Sequence, residues 1–335
     1  MNLSLADVLA ARRTIAAVAV RTPLVPSPYM GALAGCDFLL KLETAQPVGA
    51  FKLRGAVNAV SALGGDVSGV VCCSTGNHGR AVAFAARARG IRAVVCMSAL
   101  VPRAKVDGIR ALGAEVRIVG RSQDDALAES GRLAREEGLA EISPFDDPLV
   151  IAGQGTIGLE LLEDRPDLAA ILVPLSGGGL AAGVALAAKA IKPSIAVFGI
   201  TMERGAAMRE SIRAGRPVEV EETASLADSL GGGIGLANRL SFPLCRDLLD
   251  DCVLVTEEEI YDAMQTLYFE DRMVAEGAGV VGIAAMKARR LPPFGGPVAT
   301  IVTGRNVDMA AFTDVVAGRG VTLGDTRLEG RAYAA

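Results

Sequence analysis

Short apolar runs rich in β-forming residues alternate with helical patterns from residue 69 onward. The runs GVVCCS, AVVCMS and EVRIV are typical of buried strands, and the segments NHGRAVAFAARARG, RAKVDGIRALG and DDALAESGRLAREEG have the spacing of helices. This alternation predicts a parallel sheet with helices packed on its faces.

The segment ISPFDDP, residues 142–148, ends this alternation, and a second series follows it. That series contains helix-like VIAGQGTIGLELLED, strand-like ILVPL, helix-like LAAGVALAAKAIK, and the strand patterns IAVFGI and VATIVT. Residues 1–20 are predicted to form a helix. FLLKLE, residues 38–43, is predicted to be a strand of the second sheet.

The chain is therefore predicted to be an α/β protein with two domains, each an open, twisted, mostly parallel sheet flanked by helices. Residues 1–68 and 147–320 would form the large domain, residues 69–146 the small domain, and residues 321–335 a loosely patterned tail. With 335 residues and 51% hydrophobic content, the chain is long enough for two buried cores.

Composition and charge narrow the classes of partner. The 34 basic and 38 acidic residues give a net charge of −4, and there are nine Phe, four Tyr and no Trp, which disfavours a nucleic-acid partner. The uncharged run 168–188 is interrupted by Pro174, Ser176 and three glycines, which predicts strand, loop and helix rather than a membrane span. The N-terminus lacks a secretory pattern, and six dispersed cysteines without a Cys-x-x-Cys pair favour a reduced, cytoplasmic protein.

Two rare residue types limit the possible mechanisms. His78 is the only histidine, so a zinc site built on several histidines is excluded, and any histidine base would have to be this side chain. A reaction that needs a primary amine has six candidates, which are Lys41, Lys52, Lys105, Lys189, Lys192 and Lys287.

Three segments carry candidate chemistry, and the first is GAFKLRGA, residues 49–56. Lys52 lies there between an apolar strand pattern and the start of a helix. A lysine in a glycine-flanked turn is usually structural or solvated. If Lys52 is buried, however, desolvation lowers its pKa and frees a neutral amine that can form an imine with a carbonyl compound.

The second segment is PLSGGGL, residues 174–180, which joins a strand pattern directly to a helix pattern. Its glycines allow several N–H groups to converge at a helix N-terminus, an arrangement that binds phosphate. A tight turn without a ligand is one alternative. Another is a dinucleotide fingerprint formed by Gly177, Gly179 and Gly183. Glu203 would then be the acid that binds the ribose.

The third segment is STGNHGR, residues 74–80, again between a strand pattern and a helix pattern. A helix cap at Asn77 and a hydrogen-bonded turn residue at His78 are the structural alternatives. Hydroxyl, amide and helix N–H groups at the carboxyl end of a strand also predict a binding site for a small carboxylate.

Together these segments resemble the serine/threonine dehydratase family of fold-type II pyridoxal-phosphate enzymes, whose fold is similar to that of the tryptophan synthase β chain. The family order is a Phe-Lys-x-Arg-Gly-Ala lysine, a Ser-Thr/Ser-Gly-Asn-His-Gly loop, a glycine-rich phosphate loop and a Ser/Thr-Gly-x-Asn element. Here the last element is Thr303-Gly304-Arg305-Asn306. Gln46-Pro47 and VIAGQGT, residues 150–156, also match, so the resemblance spans about residues 5–317.

The resemblance implies the cofactor, the substrate class and the site residues. The cofactor would be pyridoxal phosphate, and the partner a small amino-acid substrate bound by a homodimer. The implied catalytic residues are Lys52, which forms the Schiff base and later moves the α-proton, and Thr75. The implied cofactor ligands are Phe51, Lys52, Asn77, Ser176, Gly177, Gly178, Gly179, Leu180 and Thr303. The implied substrate ligands are Ser74, Thr75, Asn77, His78 and Gln123, and no metal ligand is expected.

Individual contacts follow from the same resemblance. Phe51 would pack beside the cofactor ring, and Asn77 would hydrogen-bond its 3-oxygen. Residues 176–180 would surround the phosphate with backbone amides, while the Thr303 hydroxyl would meet the ring nitrogen. Thr75 and the neighbouring backbone amides would hold the substrate carboxylate.

The implied roles predict a β-elimination. An imine with the cofactor acidifies the α-proton of the substrate, and the displaced Lys52 is then the nearest free base. Thr303 cannot supply the negative charge that an aspartate would give the ring nitrogen, so a long-lived carbanion is poorly stabilised and transamination is disfavoured. We therefore predict a dehydratase, or ammonia-lyase, that removes water from a β-hydroxy α-amino acid and yields a 2-oxo acid and ammonia.

Two features of the sequence bear on the identity of the substrate. Ser122–Asp125 and Ser225–Gly235 resemble the dehydratases of hydroxyectoine utilisation, which implies a hydroxylated diaminobutyrate derivative as substrate. Gln123 stands where some relatives use an arginine, which suggests a longer or uncharged side chain on the substrate.

A second departure concerns a divalent cation that several relatives bind. Two of its ligands would map to the Glu203 side chain and the Ala207 carbonyl, and the third position is Arg209. We hypothesise that the Arg209 guanidinium replaces the cation by pairing with Glu203.

Other functions stay open on sequence grounds. A threonine or serine dehydratase and an amino-acid racemase are alternatives within the family. A nicotinamide-dependent oxidoreductase would leave Lys52 and Asn77 unexplained, and the presence of Lys52 counts against a ligand sensor without catalytic activity.

Overall fold

The computed structural model describes residues 3–74, 76–99, 101, 103–121 and 123–334. The strands are β1 (Leu24–Pro26), β2 (Phe38–Leu42), β3 (Gly69–Cys73), β4 (Arg92–Met97), β5 (Glu115–Ile118), β6 (Ala140–Glu141), β7 (Ala170–Pro174), β8 (Ala196–Met202), β9 (Asp251–Val255), β10 (Val298–Val302), β11 (Val321–Leu323) and β12 (Thr326–Leu328). The helices are α1 (Leu5–Ile15), α2 (Pro28–Ala34), α3 (Lys52–Ser61), α4 (Asn77–Arg89), α5 (Arg103–Arg110), α6 (Gln123–Glu136), α7 (Pro148–Asp164), α8 (Gly179–Ile191), α9 (Ala207–Ala214), α10 (Ser241–Leu248), α11 (Glu257–Asp271), α12 (Val281–Lys287) and α13 (Met309–Val316). Short 3₁₀ turns occur at Glu43–Ala45, Asp228–Leu230 and Gly277–Gly279.

The larger sheet has six strands in the order β1-β2-β10-β7-β8-β9. Only β1 is antiparallel to its neighbour, whereas the other four pairings are parallel. Phe38 of β2 lies opposite Val298 of β10, so the strand predicted at FLLKLE does belong to the second sheet. The strand β9 and the helices that follow it were not identified from the sequence.

The smaller sheet has the order β5-β4-β3-β6, and its three pairings are parallel. All four of its strands lie within residues 69–146. The predicted α/β fold with two helix-flanked, mostly parallel sheets is therefore confirmed. The boundaries that we assign to the two domains stay a prediction.

Helices α7 and α8 pack closely against each other beside the larger sheet, and most of their residues are buried. A Cβ at Gly183 would lie 2.3 Å from the Ile151 carbonyl oxygen, and one at Gly155 would lie 2.8 Å from the Gly183 carbonyl oxygen. These glycines are therefore needed for close contact between helices. Gly183 thus has a packing role that requires no dinucleotide.

The C-terminal segment corrects the expectation of a loosely patterned tail. Strands β11 and β12 form an antiparallel hairpin, and Val321 and Leu328 are buried in the large core. The Gln265 side chain also donates to the Arg331 carbonyl at 2.8 Å. The expectation was wrong because two strands of three residues each are too short to show a clear alternation.

The run from residue 168 to residue 188 forms β7, a loop and most of α8, as predicted. No helix in the described part of the chain is long and apolar enough to cross a membrane. The six cysteines all lie in the described part of the chain, and none of them forms a disulfide.

Candidate active site

Lys52 is the first residue of α3 and points toward the segment that leads into α7. Its Nζ donates to the Pro144 carbonyl oxygen at 2.6 Å and lies 5.3 Å from the centroid of the Phe51 ring. The backbone N–H of Phe51 donates to the Thr303 carbonyl at 3.0 Å, which ties the start of α3 to the end of β10. Burial lowers the pKa of Lys52 to about 8. A useful fraction of this amine is therefore neutral, and nucleophilic, near neutral pH.

The segment from Ile142 to Phe145 brings the predicted motifs together. Its Pro144 carbonyl accepts from Lys52, and its Ile142 carbonyl lies 2.8 Å from His78 Nε2. Phe145 packs against the glycine loop, because a Cβ at Gly177 would lie 2.2 Å from its ring. This stretch was predicted only as a break between the two domains, and its part in the site was not predicted.

Two adjacent acids, Asp146 and Asp147, follow this segment and could have indicated from the sequence that it has a structural role. Asp147 caps α7 by accepting from the N–H groups of Leu149 and Val150. Asp146 accepts from three consecutive N–H groups, those of residues 239–241, at 2.8 to 2.9 Å. Two adjacent acids before an apolar helix thus mark a helix cap and a loop anchor.

The glycine loop follows β7 and leads into α8, as the motif predicts. Gly178 has φ +89° and is the N-terminal cap of the helix. Residues 177–180 are buried, and within the described part of the chain no group accepts a hydrogen bond from their N–H groups. The Ser241 hydroxyl donates to the Gly177 carbonyl at 2.7 Å, which supports the loop from behind. Buried N–H groups without an acceptor at a helix N-terminus are suited to binding an anion.

Asn77 is not the cap of α4. The cap is Gly76, and Asn77 is the first helical residue, so the structural alternative for Asn77 is wrong. Its Nδ2 lies 3.0 and 2.9 Å from the two carboxylate oxygens of Glu276, and its Oδ1 accepts from Asn306 Nδ2 at 2.7 Å.

Glu276 was missed in the sequence analysis. It is the only charged residue in the run from residue 273 to residue 286, and it precedes the glycine-rich Gly277–Gly279 turn. An isolated acid in an apolar segment could have identified it, because a buried carboxylate needs donors.

His78 is buried and neutral. Burial, together with the nearby charge of Lys52, lowers the pKa of His78 to about 3. The Ile142 carbonyl can only accept, so Nε2 carries the proton and donates. The side chain is therefore a hydrogen-bonded residue beneath the site and not a general base at neutral pH.

Thr303 is buried at the end of β10. A Cβ at Gly279 would lie 3.5 Å from the Thr303 hydroxyl oxygen. In the parts of the chain that are described, this hydroxyl has no hydrogen-bond partner, and it can therefore serve a ligand.

The remaining predicted residues are placed as follows. Ser74 follows β3 and accepts from the Gly76 N–H at 3.3 Å, while Ser176 and Leu180 lie at either end of the glycine loop. Thr75 lies outside the described residues. Gln123 is the first residue of α6, and its side chain is not among the described atoms.

The hypothesis that Arg209 pairs with Glu203 is wrong. Arg209 Nη1 lies 3.3 Å from Glu210, and its Nε donates to the Cys252 carbonyl at 3.3 Å. These two contacts occupy Nη1 and Nε of Arg209, and its guanidinium makes no ion pair with Glu203 among the described residues. Among the described residues, no group of three or more His, Cys, Asp or Glu side chains is arranged to hold a metal ion.

A second buried polar group lies behind the start of α3. We name it the four-charge cluster, and its members are Lys41, Glu43, Arg54 and Glu160. Arg54 contacts Glu43 at 2.7 Å and Glu160 at 2.6 Å, and Lys41 contacts Glu160 at 2.6 Å. Although burial alone would raise the pKa of Glu160, hydrogen bonds and charge from Arg54 and Lys41 hold it below its usual value.

Comparisons with known proteins agree with this geometry. The chain is 54% identical to a Sinorhizobium fredii protein provisionally named a threonine dehydratase, over 95% of this chain and 96% of that one. It is 40% identical to the L-threonine ammonia-lyase of Thermotoga maritima, over 94% of this chain and 78% of that one. The structure of maize serine racemase superposes with a TM-score of 0.88 at 34% identity and covers 95% of this chain and 98% of its own.

The fold, the half-buried amine of Lys52 and the N–H groups of the glycine loop are typical of enzymes that bind a phosphorylated aldehyde on a lysine. Residues 15–304 match the family model described as pyridoxal-phosphate dependent enzyme. The chain therefore belongs to the fold-type II pyridoxal-phosphate enzymes, within the serine/threonine dehydratase family. Its cofactor is pyridoxal phosphate and not a nicotinamide.

The residues present fit this cofactor. Lys52 offers a half-buried amine whose pKa is lowered, and Gly177 to Leu180 offer buried N–H groups to the phosphate. A Cβ at Gly177 would lie 2.2 Å from the Phe145 ring and one at Gly178 would lie 2.6 Å from Met208, so the loop takes this shape only with glycine at both positions. The chemistry of these donors thus matches the two ends of the cofactor.

Proposed function

We propose that this enzyme is a dehydratase that removes water from a β-hydroxy α-amino acid. The observation that carries the proposal is that the Ile142–Phe145 segment contacts both the half-buried amine of Lys52 and the glycine loop. The N–H groups of that loop have no acceptor among the described residues. A phosphorylated aldehyde has one functional group for each of these two partners.

The cofactor-binding roles are proposed residue by residue. Lys52 would hold the aldehyde carbon, with Phe51 beside the ring, and residues 176–180 would hold the phosphate. Asn77 would contact the 3-oxygen. Thr303 would contact the ring nitrogen as a neutral hydroxyl, which fits the lack of a hydrogen-bond partner for this hydroxyl among the described residues. When bound, the cofactor supplies an electron sink that acidifies the α-proton of the substrate.

The chain's own groups would then handle the substrate. Lys52, with its pKa lowered to about 8, would take the α-proton at Nζ, and the Pro144 carbonyl would orient the ammonium form that results. Ser74, Thr75 and the N–H groups of Asn77 and His78 at the start of α4 would hold the substrate carboxylate, because a helix N-terminus favours an anion. Neutral His78 adds no competing positive charge there.

The finer substrate assignment is a hydroxylated diaminobutyrate derivative from opened hydroxyectoine. The resemblance at Ser225–Gly235 supports it, as does Gln123 in place of an arginine. Threonine and serine carry the same β-hydroxyl, and the names of the two relatives above support threonine. Racemisation is the competing reaction, and the likeness to maize serine racemase is the observation that favours it.

Spectroscopy and product analysis test the proposal. Protein reconstituted with pyridoxal phosphate should show a visible absorption band that Lys52→Ala removes. Lys189→Ala is the control and should keep the band, because Lys189 is paired with Asp250 at 2.8 Å outside the site. Ammonia and 2-oxo acid should form from the β-hydroxy substrates, and Lys52→Ala should reduce turnover by at least about a thousandfold.

The outcomes separate the candidates. If the inverted amino acid is the main product, the enzyme is a racemase. If threonine has the highest kcat/KM, the dehydratase assignment stands and the hydroxyectoine-derived substrate is excluded. A protein that stays colourless and inert after reconstitution would contradict the whole proposal.

A homodimer and a cytoplasmic location complete the proposal. Six cysteines in the described part of the chain without a disulfide fit a reducing compartment. Light scattering on the purified holoenzyme measures the oligomeric state, and a monomeric mass would contradict the homodimer.

A further inference from the structure

Glu276 lies at the junction of three segments of the site. Its side chain is only 5% exposed, and its backbone N–H donates to the Gly304 carbonyl at 3.0 Å. A Cβ at position 304 would lie 2.7 Å from Glu276 Oε1, so glycine is required there for the carboxylate to fit. The backbone N–H of Asn306 donates to the same oxygen at 2.8 Å. The carboxylate is therefore fixed to the loop that carries Thr303.

The hydrogen bonds around Glu276 determine which way the Asn77 amide faces. The Val48 carbonyl can only accept, and it accepts from Asn306 Nδ2 at 2.9 Å. The same Nδ2 donates to Asn77 at 2.7 Å, so the Asn77 atom on that side must be its oxygen. The NH₂ group of Asn77 is then turned toward Glu276, with contacts of 3.0 and 2.9 Å.

These contacts also cross from one sheet to the other. Asn77 begins α4, which follows β3 of the smaller sheet, whereas Asn306 follows β10 of the larger sheet. Glu276 binds both residues. A charged acceptor makes these hydrogen bonds stronger than neutral ones would be.

We propose that Glu276 is a positioning residue that holds the Asn77 amide with its NH₂ group as the donor and fastens the start of α4 to the loop after β10. The role rests on the proposed function, in which Asn77 contacts the 3-oxygen of the cofactor. In this role Glu276 acts on the cofactor through Asn77.

The variant Glu276→Gln keeps the size of the side chain but removes its charge and replaces one acceptor oxygen with an NH₂ donor. If the glutamine oxygen takes the place of Oε1, its NH₂ group faces the NH₂ group of Asn77. If the glutamine is turned over, its NH₂ group also faces the Asn306 N–H. In each orientation two hydrogen-bond donors face each other. If the Asn77 amide turns over instead, its NH₂ group faces Asn306 Nδ2, which is also a donor.

The experiment compares holoenzymes. Glu276→Gln should keep the visible band, but the pH midpoint of that band should move by about half a unit or more. kcat should fall by about tenfold or more because the Asn77 donor is misdirected. Glu257→Gln is the matched control: Glu257 is 8% exposed and accepts from the Leu226 N–H at 2.8 Å, so it has similar burial but no contact with Asn77. It should keep the wild-type midpoint and kcat.

A double variant distinguishes positioning from structural support. In Asn77→Asp with Glu276→Gln, the glutamine NH₂ group meets a carboxylate, so the melting temperature should recover toward that of the wild type. The midpoint should stay shifted because the donor at position 77 is gone. Full recovery of the midpoint would overturn the inference, as would an unchanged spectrum and kcat in Glu276→Gln. Loss of the visible band in the wild type would instead contradict the proposed function.

Discussion

Two lysines near the start of α3, the buried Lys41 and the half-buried Lys52, have different surroundings. Lys41 contacts the Glu160 carboxylate at 2.6 Å and donates to the Thr22 carbonyl at 2.8 Å. Lys52 has the Pro144 carbonyl, and burial is the cause of its lowered pKa. Burial also lowers the pKa of Lys41, but the Glu160 charge opposes that change.

The comparison shows that burial alone does not make a lysine reactive. The four-charge cluster contains two cations and two anions, so each buried charge is compensated and its hydrogen bonds are used. The amine of Lys52 lies against a neutral carbonyl and can change its protonation state without leaving a buried counter-ion. We therefore assign Lys41 to the fold and Lys52 to the chemistry.

The largest expected effect comes from breaking the cluster. Lys41→Met leaves an uncompensated carboxylate and should lower the free energy of unfolding by about 3–5 kcal/mol. Cofactor capture by the protein that remains folded should be unchanged. Urea unfolding measures the first quantity, and the visible band measures the second.

The double variant Lys41→Met with Glu160→Gln is the control for this prediction. It leaves Arg54 paired with Glu43 and should recover at least about half of the lost free energy. If Lys41→Met instead abolished the visible band in folded protein, the division between the two lysines would be wrong.

The second prediction concerns the pH dependence of cofactor capture. Only the neutral amine attacks an aldehyde, so capture by the cofactor-free protein should rise by about tenfold per pH unit at low pH. With the pKa of Lys52 lowered to about 8, the rate should level off near that pH. Stopped-flow absorbance measures this profile. A rate that keeps rising toward about pH 10.4, the pKa of an ordinary lysine, would show that the amine is not desolvated.

The third and smallest effect tests His78, which lies close to Lys52. Because the folded protein holds its pKa at about 3, the unfolded chain binds one more proton between that pH and about 6.5. The free energy of unfolding should therefore fall by about 1.4 kcal/mol for each unit of decrease in pH within this window. Chemical unfolding from pH 7 to pH 5 measures the slope. His78 is the only histidine, so His78→Gln should flatten it, and an equal slope in both proteins would contradict a buried neutral imidazole.

Local patterns revealed the elements on which the chemistry depends. Lys52, Asn77 and the glycine loop each lie where a strand or loop leads into a helix, and the turn residues there are visible in the sequence. The family resemblance then identified Thr303, which the structure places directly after β10.

Contacts between distant parts of the chain were not visible. Glu276 and Asn77 are 199 positions apart, and Lys52 and the Pro144 carbonyl are 92 apart. A single sequence carries no signal for such pairs. Each hydrogen bond involves only one residue from each segment and therefore produces no repeating pattern along the chain. The hairpin after residue 320 was missed for a related reason, since its strands are short.

By itself, the sequence determined the type and order of the elements and the residues at their junctions. The period of apolar positions selects helix or strand, and glycine permits the turns between them. The tertiary structure decided which side chain meets which partner. Lys52 and Arg54 are two positions apart on one helix, which separates their directions by roughly 200°. One helical turn therefore points an amine into the active site and a guanidinium into the four-charge cluster, and only the packing around that turn distinguishes the two surroundings.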